Sequence, residues 1–324
     1  MDYGRIVRDA IRLTLRHRFL WVFALLGGSS SSFGGGAPDL NLGSRGSTPT
    51  PPEEMPPELE RLFEAVQKLP DLLAAHLATI IGVAALLFLV GLVLFAISFV
   101  CRGALIGSIV RLANGEPASV RIGWGIGTRL GWRYFRLWLM GCIIVLLAVV
   151  AVASIGVIIY IFGAAGEALR VLAIVLGVIV GLAAFGLAIA FAIVLSICFA
   201  FAERAIAVDG LGVRQALRRG AGLLMVEKGA SVLLWLVAAG MGIGTGIVLT
   251  IIALIVGLPL ALAVIATYFA VGMTGATIAA TALAIAVWIL ILWGISAVGS
   301  TYNTTYWTLG YLAITDRYPP TVVS

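Results

Sequence analysis

Catalysis, metal binding and ion transport all need side chains that hold a charge, move a proton or donate to a metal. In this sequence such side chains keep out of the apolar stretches. Residues 76–100, 137–162, 171–201, 231–256 and 277–298 contain no Asp, Glu, Lys, Arg or His, apart from His76 at the outer edge of the first run. Ionisable groups within membrane helices are the usual markers of proton relays, ion paths and charged-substrate sites, so their absence argues against a proton-driven transporter. Neutral solutes and lipid tails need no such charge. His17 and His76 are the only histidines, and they are expected on opposite membrane faces, which excludes a histidine metal cluster within one chain. Cys101, Cys142 and Cys198 lie in or beside apolar runs, without the paired spacing of a disulfide frame or zinc site, and read as small packing residues. The scattered serines offer no nucleophile with a partner base. Enzymatic activity, a metal and a cofactor are therefore not expected.

The cationic residues carry more information. Arg5, Arg8, Arg12 and Arg16 recur at helical spacing on one face of residues 3–16, with Tyr3, Ile6, Val7 and Ala10 on another. Arg129, Arg133 and Arg136 repeat that spacing near Trp124 and Trp132, and Arg214 and Arg218, with Arg219, form a second such element within residues 209–228. Basic helices of this kind lie at a membrane surface and hold anionic headgroups. The same arginines also serve as flanks that orient a chain in the bilayer, and the spacing fits both readings. Asp209 and the glycines after it suit a turn and a helix cap. Glu203 and Arg204, where the 171–201 run ends, read as a solvated pair, with pairing to neighbouring cytoplasmic helices as the other reading. Residues 300–306, STYNTTY, read as an interfacial belt whose hydroxyls satisfy helix carbonyls, with a water-filled vestibule as the other reading.

Among the apolar stretches, glycine is the most suggestive feature. Gly240, Gly242, Gly244 and Gly246 give two overlapping GxxxG spacings in one run, and Gly177 and Gly181 repeat the spacing in another. Small residues so placed let helices approach closely, which makes these six candidate packing positions. An unwound segment lining a cavity is the alternative.

Membrane helices have to position all of these residues. The chain is 61% hydrophobic and 11% charged, against about 25% charged in a soluble domain. The fold expected is all-α, a polytopic transmembrane bundle of about six spans with short amphipathic interfacial helices, in a single membrane domain over residues 1–324. Each of the five runs is long enough to cross. The run 171–201 would measure about 46 Å at helical rise and must tilt or project from the hydrocarbon. Residues 19–36 supply the sixth span; a cleaved signal peptide is the alternative there and would leave five. Residues 29–56, rich in Ser, Gly and Pro, are expected to form a disordered extracytoplasmic loop. Leu59, Leu62, Phe63 and Val66 face away from Glu60, Glu64 and Lys68, as in a short surface helix, with Asp71 capping the span that follows. Residues 257–273 are short for a span and read as a re-entrant or partial helix; a full crossing there would make seven spans and put the C-terminus outside. Placing both termini in the cytoplasm puts all but four of the 21 Lys and Arg on that side, the four being Arg45, Arg61, Lys68 and Arg170, as the excess of basic residues in cytoplasmic loops requires. The net charge of +6 then reflects attraction to the anionic headgroups of a cytoplasmic membrane and not nucleic acid.

Residues 201–224, FAERAIAVDGLGVRQALRRGAGLL, 102–127, RGALIGSIVRLANGEPASVRIGWGIG, and 16–28, RHRFLWVFALLGG, resemble elements of a broad set of bacterial multi-pass membrane proteins of uncharacterised role. That set includes the membrane domain attached to some glycerophosphoryl diester phosphodiesterases. The resemblance implies a helical membrane domain in a bacterial cytoplasmic membrane. It does not imply phosphodiesterase activity, because the catalytic barrel has no counterpart here, and it assigns no catalytic or ligand residue. The function expected is a non-enzymatic membrane module that packs against lipid, a membrane-protein partner or a second copy of itself. The alternative is a transporter or channel for a neutral or lipidic substrate, prompted by the short 257–273 segment beside the glycine-rich run.

Overall fold

The computed structural model describes residues 2–27, 57–164, 167–272 and 274–319, and among these it has eight helices and no strand. They are α1 (Tyr3–Arg16), α2 (Phe19–Gly27), α3 (Pro57–Ala113), α4 (Val120–Ala164), α5 (Glu167–Val208), α6 (Val213–Val226), α7 (Lys228–Val271) and α8 (Gly275–Ile314). Five of them, α3, α4, α5, α7 and α8, are long and apolar enough to cross a membrane. The all-α expectation holds, and each of the five apolar runs falls inside one of these helices. The chain divides into two units, residues 36–96 and the remainder. Of the former, the opening part of α3 is described, with apolar side chains such as Leu86, Leu87 and Phe88 exposed.

Two boundary expectations are corrected. Residues 59–68 are not a separate surface helix and position 71 is not a cap, because α3 runs unbroken from Pro57 through Pro70. Residues 257–273 are not re-entrant: α7 continues to Val271 with Pro259 inside it. A proline removes one N–H from the helical ladder and crowds the preceding turn, yet in an apolar setting continuing the helix is the way to satisfy the remaining backbone groups. With α7 continuous, the premise for a broken-helix transport site falls away. Of the sixth span expected over 19–36, the described residues hold α2, nine residues long, about 13 Å at helical rise, against about 30 Å of hydrocarbon. A sixth span would need residues 28–36, which lie outside the described residues, as does the loop expected at 29–56.

Within the larger unit the core sits at one end. At helical rise α4, α5 and α7 measure about 63–68 Å, roughly twice the hydrocarbon thickness of about 30 Å. Nearly all buried side chains come from α1, α2, residues 97–113 of α3, the first half of α4, the end of α5, α6, the start of α7 and the end of α8. In four of the five candidate spans, none of the most apolar eighteen residues is buried. Water drives apolar groups together and lipid does not, so these helices need a core chiefly where they leave the hydrocarbon. Most described arginines lie on the same segments, which makes this the basic end of the molecule.

Glycines set the close approaches there. Gly103 on α3 meets Gly127 on α4, while Gly107 lies against Ile126, Gly123 against Ser108 and Phe23, and Gly131 against Val100. A methyl group at Gly127 would collide with the Val100 carbonyl, and one at Gly123 would lie 2.7 Å from Ser108 Oγ. Gly27 of α2 rests on the α3 backbone, where an added Cβ would come 2.7 Å from the Arg102 nitrogen, and Gly220 of α6 rests on α5, 2.6 Å from the Cys198 carbonyl by the same measure. α1 and α2 both pack on α8, so the two described ends of the chain meet at the basic end.

Candidate anion-binding interface

The interface begins with α1. Asp2 accepts a hydrogen bond from the Arg5 backbone N–H at 3.0 Å, which starts the helix. The helix then buries Ile6, Ala10, Leu13 and Thr14. Its opposite face exposes Arg8, Arg12 and Arg16, alongside Ile11 at 41% and Leu15 at 56% exposure. Two apolar side chains thus flank a strip of arginines, an amphipathic outer face. The chain end clasps this helix: Tyr318 donates to Asp9 at 2.6 Å, and the Arg5 guanidinium stands 5.3 Å from the centre of the Tyr318 ring. Burial and the Asp9 carboxylate push the Tyr318 hydroxyl above its ordinary range. At the α1–α2 corner, Trp21 donates to the Thr14 carbonyl at 2.9 Å, and burial, with Arg16 beside it, lowers the His17 pKa from its ordinary 6.5.

The turn between α5 and α6 is the second anchor. Asp209 does not cap α6, as its position in the sequence suggests; the N-cap is Gly212, with no side-chain cap. Asp209 instead accepts from the Tyr311 hydroxyl and from Arg317, each at 2.6 Å. Gly210 takes a φ of +66°, a region that favours glycine, and its carbonyl accepts from Arg133 at 2.8 Å. Three parts of the chain, α4, α8 and the C-terminal segment, thus fix this turn.

Beneath it lies a buried charge cluster. Glu203 and Arg204 are not a solvated pair: they are 8% and 5% exposed. Glu203 bonds Arg102 of α3 at 2.5 Å through one oxygen and Arg204 at 2.8 Å through the other, while Tyr134 of α4 donates to the Glu203 carbonyl at 2.9 Å. Two guanidinium groups share one carboxylate, so the cluster keeps one positive charge in excess. Helix packing limits their exposure: Gly103, Gly127 and Gly131 bring α3 against α4, leaving Glu203 and Arg204 buried and Arg102 partly buried.

An open groove of about 700 Å³ lies between α4 and α6. Arg136 and Arg214, two of the residues singled out by spacing, line it together, with Leu139, Met140 and Ile143 forming an apolar wall and no acidic residue on its lining. Trp132 stacks on Phe135 with ring centroids 5.3 Å apart, and Arg136 stands 5.9 Å from the Trp132 ring. Of the other singled-out arginines, Arg129 is exposed on α4, Arg133 is committed to the α5–α6 turn, and Arg218 is exposed on α6 one turn beyond Arg214.

The polar stretch near the end of α8 bonds largely to its own helix. Thr301, Thr305 and Thr308 donate to the carbonyls four residues before them at 2.7–2.8 Å, and Tyr306 reaches the Leu234 carbonyl of α7 at 3.4 Å. A Cβ added to Gly240, Gly242, Gly244, Gly246 or Gly181 would meet no atom within 4 Å, and at Gly177 it would make ordinary contact with Ile159 at 3.5 Å. The glycines that do pack, Gly103 with Gly107 and Gly123 with Gly127 and Gly131, have the same four-residue spacing, which was the available signal. Among the described residues no three His, Cys, Asp or Glu come together as metal ligands.

No curated protein and no solved structure matches this chain. The model of a family of unknown function (DUF7544) matches residues 8–318, a range that takes in the basic end from α1 to Tyr318. The chain belongs to that family.

Proposed function

We propose that this protein is a non-enzymatic membrane module whose basic end grips the anionic headgroups of the cytoplasmic leaflet. The observation that carries the reading is α1, which is seated on the bundle by one face and exposes Arg8, Arg12 and Arg16 beside Ile11 and Leu15 on the other. Polybasic segments gain about 1 kcal/mol per Lys or Arg at an anionic surface. The concentration of arginines at this end supports a cytoplasmic side for it under the positive-inside rule. The open surfaces of Gly240–Gly246 leave room for a second copy or a membrane-protein partner along α7. The likeness of residues 201–224 to the membrane domain attached to some glycerophosphoryl diester phosphodiesterases fits a lipid-handling setting.

The test compares thermal unfolding in nanodiscs of neutral phosphatidylcholine with nanodiscs containing phosphatidylglycerol. Anionic lipid raises the melting temperature of the wild type, and the triple substitution Arg8→Gln, Arg12→Gln, Arg16→Gln removes most of that gain. Equal melting of the wild type in both lipids overturns the reading.

A further inference from the structure

We infer that the groove between α4 and α6 is a discrete site for one anionic phospholipid, a proposal that rests on the lipid-gripping reading and gives it an address. Its headgroup phosphate would sit between Arg136 and Arg214, and the upper part of an acyl chain along Leu139, Met140 and Ile143.

Charge complementarity selects this occupant. Two guanidinium groups line the groove with no carboxylate among its lining residues, so a phosphate entering it meets uncompensated positive charge. Arginine forks match phosphate oxygens and form charge-assisted hydrogen bonds about twice as strong as neutral ones. The start of α6, which no side chain caps, adds its dipole to the same rim.

The wall decides between a lipid and a free phosphate. Leu139 and Ile143 are 43% and 49% exposed and begin the apolar run of α4 that continues to Phe162. A soluble anion gains nothing from such a surface. A lipid lays its chain on it, entering sideways from the bilayer, and a space of about 700 Å³ holds a headgroup with the first segments of a chain, within the usual range of about 300–1,000 Å³ for ligand sites.

The groove is also held in shape before anything binds. Arg133, one turn before the groove on α4, donates to the Gly210 carbonyl, while Tyr311 and Arg317 hold Asp209. The residues that follow, Gly212 to Gln215, line the groove, so its rim does not need to be ordered by the ligand, which lowers the cost of binding.

Native mass spectrometry from nanodiscs of phosphatidylcholine with phosphatidylglycerol tests the site. The wild type retains one phosphatidylglycerol per chain at collision energies that strip the rest. Arg136→Gln with Arg214→Gln lowers that retention by about tenfold or more, equivalent to about 1.4 kcal/mol, and the corresponding pair of lysine substitutions restores part of it. Both arginines are exposed, so melting in pure phosphatidylcholine nanodiscs stays at the wild-type value and confirms folding. The α1 triple variant keeps the retained lipid, because its arginines do not line the groove. If the groove variant retains phosphatidylglycerol as the wild type does, the site is overturned while the lipid-gripping reading stands on its melting test. If the wild type retains no phosphatidylglycerol, the site is overturned as well, and absence of any melting gain then removes the broader reading too.

Discussion

Glu203 shows how a single carboxylate becomes the pivot of a membrane protein's core. It neutralises one of two arginines, Arg204 buried and Arg102 partly buried, and is itself satisfied on both oxygens. Breaking a buried ion pair from one side costs about 3–5 kcal/mol, because the partner charge is left desolvated. Glu203→Gln therefore leaves Arg102 and Arg204 facing each other unneutralised and should lower stability by about that much. Arg204→Met should cost distinctly less, since it removes the excess cation and leaves the Arg102–Glu203 pair whole. Guanidinium melts of both variants in neutral nanodiscs decide it, and an Arg204→Met loss as large as that of Glu203→Gln would sink the argument. A pH dependence belongs to His17. Its folded pKa is lowered from 6.5 by burial and Arg16, so below 6.5 the unfolded chain binds a proton that the folded chain refuses. Stability from this residue is fully present above 6.5 and is lost as pH falls toward the folded pKa. His17→Gln should flatten that part of the stability profile, and an unchanged slope between pH 7 and 5 would remove His17 as its source.

At the level of elements, the same GxxxG spacing does different things at different depths. Gly127 lies at the basic end, where α4 presses on the α3 backbone, whereas a Cβ added to Gly244 would meet nothing within 4 Å. Gly127→Ala should destabilise the fold by about 1–3 kcal/mol through overpacking, because the added methyl meets a carbonyl and not a yielding side chain. Gly244→Leu should leave the melting of the isolated chain unchanged. If α7 packs on a second copy, the same variant weakens that association in crosslinking or native mass spectrometry; a wild-type melt for Gly127→Ala would contradict the depth argument. This contrast also marks what could be read from sequence. The helical spacing of Arg5 to Arg16 gave α1 correctly, and Arg136 and Arg214 were singled out before the fold brought them to one groove, because helix periodicity is local. The cluster around Glu203 was legible only as the lesser of two readings, pairing with a neighbouring helix: Arg102 approaches from 101 residues away, and a charge pair at the end of an apolar run looks solvated until a third helix covers it. Nor did spacing tell which glycines pack, since that depends on where each helix crosses its neighbour. Residues 257–273 read as a separate segment because they are short for a span; in the structure Pro259 lies inside α7, since the roughly 3 kcal/mol that proline costs a helix in water does not end one when unsatisfied backbone in lipid would cost more.

For the whole molecule, the meeting of the chain ends constrains topology more tightly than hydropathy does. Tyr318 bonds Asp9, and Arg317 bonds Asp209 in the α5–α6 turn, so α1, that turn and the C-terminal segment lie at one end of the bundle. The α3–α4 turn lies there too, because residues 97–113 and the start of α4 belong to the same core. The α7–α8 turn at Gly272 lies at the far end of two helices about 60–66 Å long. With the basic end in the cytoplasm, cysteines introduced for Asp2, Glu116 and Pro319 should react with an impermeant maleimide only when the cytoplasmic face is exposed, in inverted vesicles. A cysteine replacing Thr274 should react from the opposite side. The clasp makes the outcome for the two ends a linked one: a chain with α1 on one face and residue 319 on the other would have to separate Tyr318 from Asp9 and Arg317 from Asp209 and expose the α8 surface that α1 covers. Labelling of Asp2 and Pro319 positions from opposite sides would therefore refute the packed end itself, whereas labelling of both from the outer side would keep the packing and reverse only its orientation.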